Sequence, residues 1–132
     1  MRPRHVGAVA VGCLVWSLLG YARGASQAEE RAYSLNREGM IAMSEARFDD
    51  AIAAFTQAAD LVADYGIAGK PLMYTPVFMT AWASEKIDHT REACAAYRRY
   101  LQIAVEHPVE PTKVEHANAY VSTNCKDSVP KE

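Results

Sequence analysis

The stretch RFDDAIAAFTQAA, residues 47–59, decides the fold. Read as a helix, it puts Ala51, Phe55 and Ala58 on one face, because side chains three and four residues apart lie above one another. Two of those three side chains are only methyl groups, so another helix can approach closely while Phe55 fills the space between them. That face suits a tight antiparallel helix pair. Upstream, Gly39 and Ala42 give the preceding segment a matching small-residue face. The chain must turn within the four residues separating Ala42 and Ala46, so a short helix–turn–helix is expected.

Outward from this stretch, the pattern extends along the chain. Alanine is abundant, strand-like alternation is absent, and glycine and proline gather at a few breaks. The breaks fall at Ala46-Arg47, at YGIAGKPLMYTP, near Asp88 and at HPVEP. They divide the chain into five helical segments, roughly 28–45, 48–64, 76–87, 89–106 and 111–125. Thr75 before Pro76 reads as a helix cap followed by a first-turn proline, and Pro111 opens the last segment in the same way. Asp49 and Asp50 suit the first turn of the second segment, where acids meet the positive end of the helix dipole. GMIAMSEARFDDAIAAFTQAA is then paralleled without a gap by AWASEKIDHTREACAAYRRYL, 42 residues later. Gly39 maps to Ala81, Ala42 to Ser84, Ala51 to Ala93, Phe55 to Tyr97 and Ala58 to Tyr100. A repeated two-helix unit implies a stacked, solenoid-like arrangement.

These residues resemble the tetratricopeptide-repeat (TPR) family. LNREGMIAMSEARFDDAIAAFTQAADL follows its pattern at Leu35, Gly39, Ala42, Phe48, Ala51, Phe55 and Ala58. PVFMTAWASEKIDHTREACAAYRRYLQI follows it at Pro76, Ala81, Ala93 and Tyr97, but departs at Thr80, Ser84 and Tyr100. The spacing exceeds the family's ~34 residues, which places an insertion around YGIAGKPL. The resemblance implies an all-α, right-handed array of antiparallel hairpins: repeat one over about 33–64, repeat two over about 76–107 and a capping helix over about 111–125.

The N-terminal segment differs in kind. MRPRH carries two arginines, an apolar run of 14 residues spans Val6 to Leu19, and small and polar residues follow. This is the layout of a secretory signal peptide, and the run is shorter than the ~20 residues of a spanning helix. Cleavage is expected after Gly24, where Ala22 and Gly24 form a small-x-small pair, or after Ala28. An uncleaved N-terminal anchor and lipid attachment at Cys13 are the alternatives. Residues 25–132 would then form the TPR-like domain, exported to a periplasm or secreted. Without residues 1–24 the chain holds 11 basic and 16 acidic residues, a formal net charge of −5, with no basic stripe to suit nucleic acid.

Cys94 and Cys125 remain as an even pair, which in an exported chain reads as a disulfide. Between them the chain climbs 13 residues to His107 and descends 14 from Pro111. At ~1.5 Å per residue both legs span about 20 Å, so the sulfurs return to one level. Val114, Ala117 and Val121 put Cys125 on a packed side, and in the TPR register Cys94 points toward the following helix. Two buried free thiols are the alternative.

Motifs for catalysis and cofactors are lacking. His89, His107 and His116 have no ligand spacing and read as surface or helix-end residues. Met40, Met43, Met73 and Met79 could form a soft copper(I) site, but methionines on packed helices more often line a core or groove. GIAGK lacks the full phosphate-loop pattern and reads as the flexible part of the insertion. Arg91, Arg98 and Arg99, interleaved with Glu92, read as a solvated helix face.

What remains is surface. The resemblance implies that the first helix of each pair lines a concave groove for a peptide or partner helix. The groove candidates are Asn36, Met40 and Met43 on one helix and Phe78, Trp82 and Lys86 on the next. The basic and asparagine residues with which some TPR proteins grip a terminal carboxylate are not matched, so an apolar partner segment is favoured. For Phe78 and Trp82 the alternative is packing under the insertion or against the N-terminal helix. The expected function is a non-catalytic protein–protein interaction module without cofactors, an adaptor or assembly factor. Self-association, with a homodimer covering the open end of the array, is a second expectation, and a His/Met metal-binding protein a third.

Overall fold

A computed structural model describes the backbone of residues 6–125 and the side chains of residues 24–125. Five α-helices follow one another: α1 (Val6–Ser44), α2 (Phe48–Asp64), α3 (Thr75–Lys86), α4 (Thr90–Glu106) and α5 (Pro111–Asn124). Each packs chiefly on its neighbour in sequence, α1 on α2, α2 on α3, α3 on α4 and α4 on α5. The expected boundaries of the last four helices agree to within one or two residues. The first helix differs: it is expected from residue 28 and instead continues without a break from Val6. Isolated glycines such as Gly20 and Gly24 cost a helix only about 1 kcal/mol each and do not end it, as proline would. Met1–His5, residues 126–132 and the side chains of residues 1–23, including Cys13, lie outside the described residues.

Two turns close alike. At the end of α1, Ala46 adopts φ 57°, the Ala46 amide donates to the Met43 carbonyl and the Arg47 amide to the Ala42 carbonyl. At the end of α3, Asp88 adopts φ 57°, the Asp88 amide donates to Glu85 and the His89 amide to Ser84. Both are Schellman closures, 42 residues apart like the repeat in the sequence. A third closes α2 with glycine in the special position: Gly66 has φ 61°, and the Ile67 amide donates to Val62 at 3.0 Å.

Behind the first turn, α1 and α2 meet as their small residues demand. A Cβ on residue 39 would come within 2.6 Å of a Phe55 ring carbon, so only glycine fits. Ala42, Ala51, Phe55 and Ala58 are all buried. In the second hairpin, the corresponding Ala81, Ala93, Tyr97 and Tyr100 are fully buried. The main core runs through both hairpins and reaches Ala117 of α5.

The insertion between the hairpins is anchored rather than loose. Its Pro71–Met73 stretch forms a short 3₁₀ turn, and Leu72 joins Ala32, Leu35, Ala58 and Val62 in a second core cluster. Lys70 pairs with Glu29 of α1. The cap of α3 also differs from expectation. Thr75 is the first helical residue and Tyr74 the cap, because the Tyr74 carbonyl accepts the first helical bond, from the Phe78 amide at 3.0 Å.

A disulfide joins Cys94 to Cys125 with Cα atoms 5.8 Å apart, tying the end of α5 to the start of α4. Arg98 reinforces that junction by donating from Nη2 to the Cys125 carbonyl at 2.8 Å. Arg98 is therefore engaged at a helix terminus, whereas the sequence suggests a purely solvated face. Such a disulfide is consistent with an oxidising, extracytoplasmic location. No helix among the described residues is long and apolar enough to cross a membrane.

Candidate functional site

Of the six groove residues expected from the sequence, three come together on α3. Phe78 is only 5% exposed, and its ring packs edge-on against Tyr97 and Tyr100, with centroids 5.7 and 5.0 Å away. One turn further along α3, Trp82 lies 6.4 Å from Phe78 and remains 37% exposed. A turn beyond that, Lys86 holds its ammonium 5.6 Å from the centre of the Trp82 ring. Phe78 is thus a core residue with one edge on the surface, and Trp82 a surface residue seated on the core.

Helix α5 supplies the opposite wall. Phe78 and Trp82 line a pocket of about 250 Å³ together with Thr112, Lys113 and His116. Lys113 places its ammonium 5.6 Å from the centre of the Phe78 ring and pairs with Glu110 at 3.2 Å on the exposed first turn of α5. The residues of α1 line none of this pocket. Asn36 is half-buried, with its Oδ1 lacking a hydrogen-bond partner among the described residues. Met40 is 46% exposed, while Met43 packs against the main core.

Behind the pocket, three helices contribute to one polar cluster. The Tyr97 hydroxyl of α4 donates to Glu85 Oε2 of α3. His116 Nε2 of α5 lies 2.9 Å from the same oxygen and 3.1 Å from the Tyr97 hydroxyl. Burial by itself would raise the Glu85 pKa, but the bonds to Tyr97 and His116 outweigh it and hold the carboxyl below its usual range. Burial, and then the Glu85 carboxylate, push the Tyr97 phenol far above its ordinary value. The cluster links α3, α4 and α5, and its His116 also lines the pocket.

The sequence does not single out Lys113, Glu85 or Tyr97 as site residues, and it marks His116 only as a surface or helix-end residue. His89 and His107 do occupy the ends of α4. His116 is a surface residue, as expected, but in mid-α5, with its ring 5.6 Å from Tyr97. The cysteine pairing carries part of this information, since antiparallel α4 and α5 joined at Cys94 and Cys125 bring Tyr97 near Tyr120 and His116. Glu85 carries no comparable signal.

Other clefts occur among the described residues. One, of about 290 Å³, lies over α2, α3 and α4 and is lined mainly by small and polar side chains with Glu92 and Arg99 at its edge. Another lies between α1 and α2 around Ile41 and Arg47. No group of three or more His, Cys, Asp or Glu side chains suited to a metal ion occurs among the described residues. Compared with known proteins, the chain matches no family model, no curated protein and no solved structure.

Proposed function

We propose that this chain is an exported, non-catalytic interaction module with a TPR-like architecture, which docks a segment of another protein against α3 and α5. The observation that carries the proposal is the half-exposed Trp82 beside the buried Phe78 edge, in a pocket formed by two helices. A large aromatic side chain that keeps 37% of its surface open on a rigid floor is suited to anchoring a partner. The TPR-like reading is supported by the two hairpins with matching turns at Ala46 and Asp88 and by the close approach of Gly39 and Phe55. Export is supported by the leader pattern and the disulfide. An adaptor or assembly factor in a periplasm or other extracytoplasmic space fits these properties together.

The test is affinity capture with the tagged full chain expressed in an exporting host, comparing wild type with Trp82→Ala. Loss of a captured protein, with helical circular dichroism retained, supports docking at the pocket. Equal capture by both proteins removes the pocket from the interaction. Self-association is a second reading favoured by one observation: Tyr33, Met40 and Ile41 of α1 are each 46–48% exposed. Elution as a dimer at micromolar concentration, converted to monomer by Met40→Glu, would support that reading.

A further inference from the structure

The chemistry of the pocket rim narrows the class of partner. Its floor is aromatic, formed by the Trp82 ring and the edge of Phe78. Each ring has one ammonium beside it, Lys86 at Trp82 and Lys113 at Phe78, both at 5.6 Å. The two nearby carboxylates do not cancel these charges equally. Glu85 is turned inward, accepting from Tyr97 and engaged by His116. Glu110 meets Lys113 in an exposed pair between residues three apart on the first turn of α5, an interaction worth only a few tenths of a kcal/mol. Lys86 has no carboxylate partner among the described residues. An apolar floor with ammonium groups at its rim suits an apolar side chain flanked by negative charge.

From this geometry we infer that the pocket takes an internal segment of another protein in which an aromatic or leucine side chain stands beside one or more carboxylates. The inference rests on the reading of the chain as an interaction module and names the partner chemistry for that site. The apolar side chain enters over Trp82 and Phe78, where a pocket of about 250 Å³ accommodates one large residue. The flanking carboxylate meets Lys86, or draws Lys113 away from Glu110. Cations already stand beside both rings, so a lysine or arginine of the partner is repelled rather than stacked on them. Such rim charges act chiefly on association rate and salt dependence, while the buried aromatic contact sets how long the complex lasts.

A display library of random peptides about ten residues long, with both ends joined to carrier so that no free terminal carboxylate is offered, tests the inference against the full chain. The expected result is enrichment of Phe, Trp or Leu with Asp or Glu within two positions. An enriched peptide is then synthesised with blocked ends and titrated against the chain carrying Trp16→Phe, so that Trp82 is the single tryptophan whether or not the N-terminal segment is removed. Replacing its acids by Asn and Gln should weaken binding roughly tenfold and flatten the salt dependence, and Lys86→Gln with Lys113→Gln should do the same. Tight, salt-insensitive binding of the neutral analogue, or enrichment of basic peptides, overturns the acidic-partner inference while leaving the interaction module standing. Absence of any enriched peptide that shifts Trp82 fluorescence also overturns it. The interaction-module reading is then judged separately, by the Trp82→Ala capture.

Discussion

Gly39 lies against the ring of Phe55 so closely that a side-chain carbon at residue 39 would sit 2.6–2.8 Å from three ring atoms. Phe55 is fully buried and cannot swing aside. Alanine at this position gains about 1 kcal/mol of helix propensity but overpacks the interface by about 1–3 kcal/mol. Gly39→Ala is expected to lose a net of up to about 2 kcal/mol, measured by urea unfolding. Combining it with Phe55→Leu should shrink the added cost of the alanine. A fully additive pair would show that the ring is not the obstacle.

Reducing Cys94–Cys125 frees a loop with a sequence separation of 31 and is expected to cost about 3–4 kcal/mol of stability. The loss should begin in α5, whose main packing partner is α4. Hydrogen exchange with and without reductant reads this directly: protection in α5 should fall well before that in α2. Uniform loss across all helices would show that the bond stabilises the whole fold as one unit.

Under the proposed export, the start of the processed chain is expected at Ala25 rather than Glu29. Ala28 is only 6% exposed, and Glu29 pairs with Lys70 of the insertion. Cutting after Ala28 would remove a packed residue and leave a charged terminus in its place. Intact mass of the natively exported chain distinguishes the two junctions, and a mass beginning at Glu29 would count against the packing argument.

Acid should loosen α5 through Glu85. Its carboxyl is held below the ordinary value of 4.5, so its stabilising effect is fully present above that value and is lost as pH falls through the lower, folded value. Tyr97 acts in the opposite range. Its phenol is raised above the ordinary 10.0, so its contribution is present below pH 10 and disappears as pH rises beyond it. Glu85→Gln should therefore be less stable than wild type at neutral pH, with the gap closing as pH falls below the ordinary 4.5 and through the lower folded value. A gap that stays constant from neutral to strongly acidic conditions would show that the carboxylate charge contributes nothing.

Much of the helical framework was legible in the sequence because local rules govern it. Pro76 and Pro111 mark helix starts, Ala51-Phe55-Ala58 marks a packed face, and equal rises along α4 and α5 bring Cys94 to Cys125. The start of α1 was not, since the residues between the leader and Ala28 contain nothing that stops a helix. The Thr75 side chain suits a cap, but the helical bonding begins one residue earlier, at Tyr74. In the candidate site, Phe78, Trp82 and Lys86 were visible as one α3 stripe. Glu85, Tyr97 and His116 were not, because their cluster depends on the rotation and tilt of three helices, which spacing within one helix does not specify.

Strong packing confined to sequence neighbours has a consequence for how such a chain reaches its shape. Each helix docks on the one made just before it, so no distant segment must be awaited and little loop-closure entropy is spent. The molecule can assemble in the order in which it emerges, first hairpin, then second, then α5. Cys125 lies one residue beyond the end of α5, so its bond to Cys94 closes only after α5 has been made, and its oxidation records that α5 has returned along α4.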